Sequence, residues 1–295
     1  MTLVTTFSVG KFRCHALEAG RQRLDGGAMF GVVPKPLWEK RIAADELNRI
    51  PLSVRCLLIE HMAGPILIDT GIGNKEKAKF KDIYGVENRG EEGHTQMEDA
   101  LLQAGCRPEE IVYVINTHLH FDHAGGNTFR DQEGKEGREG KEARLAFPKA
   151  KYVVQEKELE FARNTNERTA ASYLAHNFEP VAEAGRWQLV DGEVELLPGV
   201  TLLPTPGHVP YHQSVLISDA GETACFLGDL IPTSAHVPLP WIMGYDLEPL
   251  VTLESKRELL ARAEAEGWTL IFEHDPETGL GRVKKDQRSY CCEPI

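Results

Sequence analysis

The sequence lacks a long apolar run, a basic surface and the marks of a secreted protein. A membrane span needs roughly 18 consecutive apolar residues, and no segment of the 295 residues approaches that length. Residues 1–10 lack the basic start and apolar core of a signal peptide. Lysine and arginine number 33 against 45 acidic residues, and the formal charge of -12 disfavours phosphate backbones. We therefore expect a cytoplasmic protein that binds neither membranes nor nucleic acid.

The cysteine spacing is not that of a disulfide-rich protein. No Cys-x-x-Cys occurs, and the six cysteines follow no regular spacing; they are Cys14, Cys56, Cys106, Cys225, Cys291 and Cys292. This argues against a disulfide framework and favours reduced, mostly buried thiols. The hydrophobic content of 41% is sufficient for a sizeable core.

The most informative segment present is 117–123, Thr-His-Leu-His-Phe-Asp-His. It follows the branched apolar run 111–115, which predicts a buried strand. The three imidazoles and one carboxylate would then lie on the loop at the carboxyl end of that strand. Because side chains two apart in an extended stretch face one way and a turn brings the later pair around, this loop can supply ligands to two adjacent metal ions.

Three more ligand-type side chains follow apolar strands. His208 comes after 201–203, Asp229 after 224–227 and His274 after 270–272. Strand ends are where open sheets assemble sites. Five histidines and two aspartates are thus available, and imidazole with carboxylate but no thiolate suits zinc, and also manganese, iron or cobalt. We expect two divalent ions per chain, with zinc as the first choice.

In chain order these motifs resemble those of the metallo-β-lactamase superfamily over about 52–275. The resemblance implies an α/β (α+β) fold, a four-layer αββα sandwich. It also implies that His118, His120 and His208 hold one metal, that Asp122, His123 and His274 hold the second, and that Asp229 bridges them. Asp69, at the end of a predicted hairpin strand, would orient the loop. We predict one domain over 1–295, with a solvated loop at 130–144 and a tail at 288–295.

Such a centre predicts a hydrolase without a serine or cysteine nucleophile. A hydroxide bound between two metals would attack a carbonyl or phosphoryl centre. Asp122 and Asp229 would be the catalytic carboxylates, with Asp229 also relaying a proton to the leaving group.

Within the superfamily, the segments 205–214 and 273–275 resemble the N-acyl-homoserine lactonase branch. This implies a small lactone or ester as substrate and, by analogy, a possible homodimer. The alternatives are an organophosphate hydrolase similar to methyl parathion hydrolase and a non-hydrolytic iron protein with a redox or sensing role. One departure stands out: lactonases of this branch carry a tyrosine three residues after the bridging aspartate, where this chain has Pro232. Tyr245, His236 or Tyr211 could replace it.

An acyl chain would need an apolar trough. Large apolar side chains in Gly- or Pro-rich, loop-like contexts are candidates for its lining: Met29, Phe30, Trp38, Leu239, Trp241 and Ile242. Covering the core or forming a dimer contact is the alternative role for these residues. His212, four residues after His208, is expected to support the ligands rather than to be one.

Overall fold

The computed structural model describes residues 2–130, 143–286 and 289–295. The strands are β1 (Val4–Val9), β2 (Phe12–Asp25), β3 (Arg49–Glu60), β4 (Ile66–Ile68), β5 (Tyr113–Ile115), β6 (Thr128–Phe129), β7 (Arg144–Leu145), β8 (Lys151–Gln155), β9 (Trp187–Val190), β10 (Val194–Leu197), β11 (Val200–Pro204), β12 (Gln213–Asp219), β13 (Glu222–Phe226), β14 (Thr269–Ile271), β15 (Leu280–Asp286) and β16 (Ser289–Pro294). The helices are α1 (Gly26–Phe30), α2 (Lys35–Trp38), α3 (Ala78–Ile83), α4 (Gln96–Gln103), α5 (Phe121–Ala124), α6 (Glu156–Arg163), α7 (Glu179–Glu183) and α8 (Pro249–Glu266).

Two large mixed sheets are formed by these strands. The first has the order β1-β2-β3-β4-β5-β8-β9, and the second has the order β10-β11-β12-β13-β14-β15-β16. The predicted hairpin is confirmed, since β3 and β4 pair antiparallel with Leu58 opposite Leu67. Strands β4, β5 and β8 run parallel to one another, so their carboxyl ends meet at one edge of the first sheet.

Alternation along the strands explains how the sheets are layered. In β3, Leu57 and Ile59 pack between the two sheets against residues such as Val215 and Phe226 of the second sheet. Cys56 and Leu58 face the opposite way, into a cluster that includes residues of α4. This period of two is that of a strand buried on both faces.

Helix α8 covers the outer face of the second sheet. Its residues Leu259, Leu260 and Ala263 pack against Cys225 and Leu270. The helix ends at Gly267, which adopts the left-handed conformation favoured by glycine at this position. Helix, sheet, sheet and helix thus follow one another, which confirms the predicted four-layer αββα sandwich.

The predicted C-terminal tail is wrong, because residues 289–294 form strand β16. It pairs antiparallel with β15, with Val283 opposite Cys292, and Tyr290 is buried in the cluster under α8. The burial of Tyr290 favours a strand paired at the sheet edge over a free chain end. The predicted loop at 130–144 begins at the short β6–β7 pairing, and its positions 131–142 lie outside the described residues.

None of the helices in the described ranges combines the length and apolar character that crossing a bilayer requires.

Candidate active site

Loops after five strands meet at one edge of the sandwich. β4 leads to Asp69, and β5 leads to the His118–His123 segment, whose end forms the short helix α5. In the second sheet, the turn between β11 and β12 carries His208, while β13 and β14 lead to Asp229 and His274. The motifs, far apart in sequence, therefore lie together.

The first cluster consists of His118, His120, His208 and Asp229, with one candidate ligand atom from each within 4.8 Å of the others. Nε2 of His208 lies 3.1 Å from Nδ1 of His120 and 3.0 Å from Oδ2 of Asp229. Nε2 of His118 is 3.9 Å from the same oxygen. Tetrahedral zinc with ligands at about 2.1 Å separates them by about 3.4 Å, so these spacings suit one ion.

The second cluster consists of Asp122, His123 and His274. The two imidazole Nε2 atoms lie 3.2 Å apart. Asp122 places Oδ1 3.8 Å from His123 and Oδ2 3.7 Å from His274. These donors can also surround one ion.

Asp229 lies between the two clusters and reaches both. Its Oδ2 faces His208, and its Oδ1 is 3.1 Å from Nε2 of His274. Its backbone N–H donates to Nε2 of His212 at 3.1 Å. The preceding Gly228 has φ +52°, and a Cβ there would lie 2.6 Å from that same nitrogen. Only glycine therefore lets the chain pass this close to His212.

His212 supports the site from behind. Burial lowers its pKa to about 3, so the ring is neutral. Its Nδ1 lies 2.9 Å from the Thr205 hydroxyl, which leaves Nε2 free to accept the bond from Asp229. This geometry matches a supporting role rather than that of a ligand.

The Nδ1 atoms of three imidazoles face acceptors, as is usual for histidine ligands. His208 faces Asp246 Oδ1 at 3.0 Å, and His274 faces the Ser53 carbonyl at 2.8 Å. His123 faces two carboxylates, those of Asp69 and Glu273, each at 3.1 Å. Asp69 also accepts bonds from the backbone and hydroxyl of Thr117, so it lies where it can orient the loop.

The pKa values of the candidate ligands are shifted in different directions. Burial lowers the pKa of His118 and His120 well below the usual value, which leaves neutral rings with free lone pairs. Burial opposes charge on His208 too, but Asp229 and Asp246 outweigh it and raise its pKa to about 10. Similarly, burial opposes ionisation of Asp229, but His208, His123 and His274 hold its pKa well below the ordinary range.

A cavity of about 370 Å³ opens above these atoms. Its floor is formed by His120, Asp122, His208, Asp229 and His274. The other lining residues include the apolar side chains Leu24, Ala28, Met29, Phe121, Met243 and Leu247 and the polar side chains Tyr84, Arg168, Thr169, Ser172 and Tyr245. Such a mixture of a polar floor and an apolar wall is typical of small-molecule sites.

The predicted trough residues are only partly brought to this cavity. Met29 lines it, as does Tyr245, a candidate replacement for the tyrosine, whereas Leu239 and Ile242 do not belong to its lining. Phe30, Trp38 and Trp241 instead form an aromatic cluster behind the wall, where Phe30 stacks on Trp38 at 5.2 Å and meets Trp241 edge-on. The sequence shows that such side chains are large, but not which face of a loop is buried.

His236 also lies behind the wall and does not reach the cavity. Its ring stacks on Phe30 at 4.5 Å, its Nε2 contacts the Met29 carbonyl at 2.8 Å, and its Nδ1 contacts the Thr233 hydroxyl at 2.7 Å. Both nitrogens are therefore engaged, and His236 supports Met29 rather than a substrate.

Several site residues escaped the sequence reasoning, among them Gln22, Tyr84, Asp246 and, as a contact of His123, Glu273. Burial raises the pKa of Glu273 to about 8. Each belongs to a segment far in sequence from the motif it contacts, so no local sequence pattern predicts the contact. Only the position of Glu273, next to His274 at a strand end, offered a signal.

Comparison with known proteins agrees with this geometry. The model of the metallo-beta-lactamase superfamily matches residues 49–274. An N-acyl homoserine lactonase from a Bacillus species is 34% identical over 240 residues, which cover 79% of this chain and 85% of that protein. A crystal structure of a probable metal-dependent hydrolase from Staphylococcus aureus aligns with a TM-score of 0.85 at 30% identity, covering 98% of this chain and 99% of that one.

A further solved structure shows a similar protein with a product bound. It is an N-acyl homoserine lactone hydrolase with N-hexanoyl-L-homoserine at its catalytic metal centre, and it aligns with a TM-score of 0.64 at 26% identity over 92% of this chain and 95% of that one. The chain belongs to the metallo-β-lactamase superfamily, and its predicted resemblance to the lactonase branch is confirmed. It is a hydrolase of that superfamily.

Proposed function

We propose that this protein is a dinuclear metal-dependent lactonase that opens the ring of N-acyl-homoserine lactones. His118, His120 and His208 would hold one ion, Asp122, His123 and His274 the other, and Asp229 would bridge them. The observation that carries the proposal is the convergence of these donors on the floor of a half-apolar cavity. The lactonase names of its relatives support the choice of substrate.

The atoms of the site themselves fit metal ions. Among the described residues, Nε2 of His118 is buried and has no hydrogen-bond partner, a state that costs about 1–3 kcal/mol if nothing binds there. A ligand role removes that cost. The donor set of imidazoles and carboxylates fits zinc, which we propose as the metal. Two such ions supply Lewis acidity and lower the pKa of a water molecule to about 7.

Different lining residues would bind different parts of the substrate. Leu24, Met29 and Met243 offer apolar surface to an acyl chain, and burying a methylene is worth about 0.8 kcal/mol. The polar side chains of Thr169 and Ser172, which also line the cavity, would face the amide end. Asp229, at the centre of the floor, is placed to pass a proton to the leaving oxygen as the ring opens.

Two phenols would perform the role of the tyrosine that is replaced by Pro232 in this chain. Tyr84 and Tyr245 both line the cavity, and burial, with a smaller contribution from Asp122, raises the pKa of each. Burial, with smaller contributions from nearby acids, raises the pKa of Tyr245 to about 12, so it keeps its proton as a donor. Tyr211, the remaining candidate, packs against Phe161 outside the cavity lining.

Replacing Tyr245 by Phe is expected to lower kcat/KM for lactones about 10- to 100-fold, because one hydrogen bond to the substrate is lost. Thermal stability should stay unchanged, since the hydroxyl has no hydrogen-bond partner among the described residues. Steady-state kinetics with a C6 lactone measures the effect. Tyr211→Phe is the matched control, and equal kinetics for both variants would remove Tyr245 from the reaction.

A substrate panel on metal-quantified enzyme tests the proposed function. It comprises acyl-homoserine lactones of several chain lengths, simple esters and a phosphotriester. We expect the lactones to be hydrolysed fastest. A higher rate on the phosphotriester, or no turnover of any lactone by protein that carries two metal ions, would overturn the proposal.

A further inference from the structure

Gln22 is a buried polar residue that contacts the metal-site floor from outside the recognised motifs. It lies in β2 with no exposed surface, and its Nε2 donates a hydrogen bond to Oδ2 of Asp122. Its position precedes residues 49–274, which the superfamily model matches. The contact thus comes from a strand that the motif comparison does not cover.

A β-bulge directs Gln22 to this position. In the pairing of β2 with β3, Leu17 is opposite Cys56 and Gln22 is opposite Leu52. Two residues five apart in a regular strand face opposite sides, but an extra residue between 18 and 21 places these two on the same side. Gly20 makes this possible: its φ is +149°, and a Cβ there would lie 2.6 Å from that of Asn88.

The chemistry of the contact fixes its direction. A carboxylate has no proton to give, so the amide nitrogen must be the donor and the bond occupies one lone pair of Oδ2. The side chain of Asp122 is thereby held with Oδ1 toward His123 and Oδ2 toward His274, at 3.8 and 3.7 Å. Gln22 Oε1 has no hydrogen-bond partner among the described residues. The bond from Nε2 to Asp122 is therefore the polar contact that this amide makes with them.

We propose that Gln22 is a positioning residue that presets Asp122 for the second metal ion. The inference rests on the ligand assignment of the proposed function and deepens it. Groups that orient metal ligands typically contribute 10- to 100-fold to affinity. The effect should be confined to one of the two sites, since among the described residues Gln22 donates a hydrogen bond to Asp122 and has none with the first cluster.

Zinc titration of the metal-free protein against a chelating indicator tests this without any substrate. Gln22→Met keeps the length of the side chain but removes the donor, and Gln22→Asn keeps the amide but is too short to reach Asp122. Both are expected to weaken the second zinc site about 10- to 100-fold and to leave the first unchanged. In the loaded enzyme, kcat should fall more than KM rises. Gln188→Met, a half-buried position far from the site in sequence, is the control.

Melting of the metal-free variants separates positioning from folding. If the Met variant does not fold, the Asn variant decides. Wild-type affinity at both sites in a folded variant, or equal weakening of both sites, would overturn the inference. Failure of the proposed function looks different: the protein would hydrolyse no lactone although the affinity of its second zinc site still responds to substitution of Gln22.

Discussion

Replacing Asp229 by Asn is expected to lower kcat about 1000-fold, equivalent to about 4 kcal/mol of transition-state stabilisation. The carboxylate is the group that faces both clusters, with Oδ2 near His208 and Oδ1 near His274. An amide of the same size keeps one oxygen but replaces the other by an NH₂ group that cannot bind a cation. The bridge is therefore lost while the packing is preserved.

Metal analysis accompanies the kinetics of this variant. We expect fewer than two ions per chain after dialysis, because one cluster loses a ligand and the two ions lose the negative charge between them. Asp191→Asn, an exposed position in the turn after β9, should retain full activity and metal. An Asp229→Asn protein with two ions and wild-type turnover would show that the bridge plays no part in the reaction.

The candidate ligands could be found from the sequence because each follows a strand that the sequence itself predicts. The apolar run before His118 forms β5, and the runs before Asp229 and His274 form β13 and β14. Strand ends that meet at one edge bring such residues together whatever the intervening loops do. The motif order then made the fold class predictable as well.

The residues that surround the ligands could not be predicted in this way. Asp246 meets His208 across 38 positions, and Gln22 meets Asp122 across 100. Neither contact has a local pattern, because tertiary packing and a single bulge decide which side chain faces inward. Polar residues in strands usually face solvent, so the alternation of β2 would even argue against Gln22.

The aromatic residues show the opposite failure. Phe30 and Trp38 are almost fully buried, although the Gly- and Pro-rich sequence around them predicted a loop that lines a trough. The short helices α1 and α2 instead turn both rings inward against Ile50 and Leu52. A loop-like composition reports the path of the backbone but not the side on which the core lies.

Lys256 holds the segment 236–241 in place behind the cavity wall. It is buried, and its Nζ lies within hydrogen-bond distance of four backbone carbonyls, those of His236, Pro238, Leu239 and Trp241. These contacts satisfy an ammonium group that burial would otherwise penalise. The segment leads directly to Met243 and Tyr245 on the cavity wall, so a helix residue far from the motifs fixes the geometry of the proposed substrate pocket.

Removal of the metal ions is expected to abolish hydrolysis, by more than 1000-fold, and to lower the melting temperature by roughly 10 °C. Without them the floor loses its Lewis acids and holds a buried His118 nitrogen that has no hydrogen-bond partner in the described part of the chain. An ion at 100 times its dissociation constant stabilises the folded state by about 2.7 kcal/mol, and two such ions account for a shift of this size.

Two equivalents of zinc should restore both activity and stability. Magnesium should restore neither, since an imidazole-rich donor set suits it poorly. Chelated protein that keeps full turnover with less than 0.1 ion per chain, or an identical melting curve before and after chelation, would contradict the dinuclear assignment.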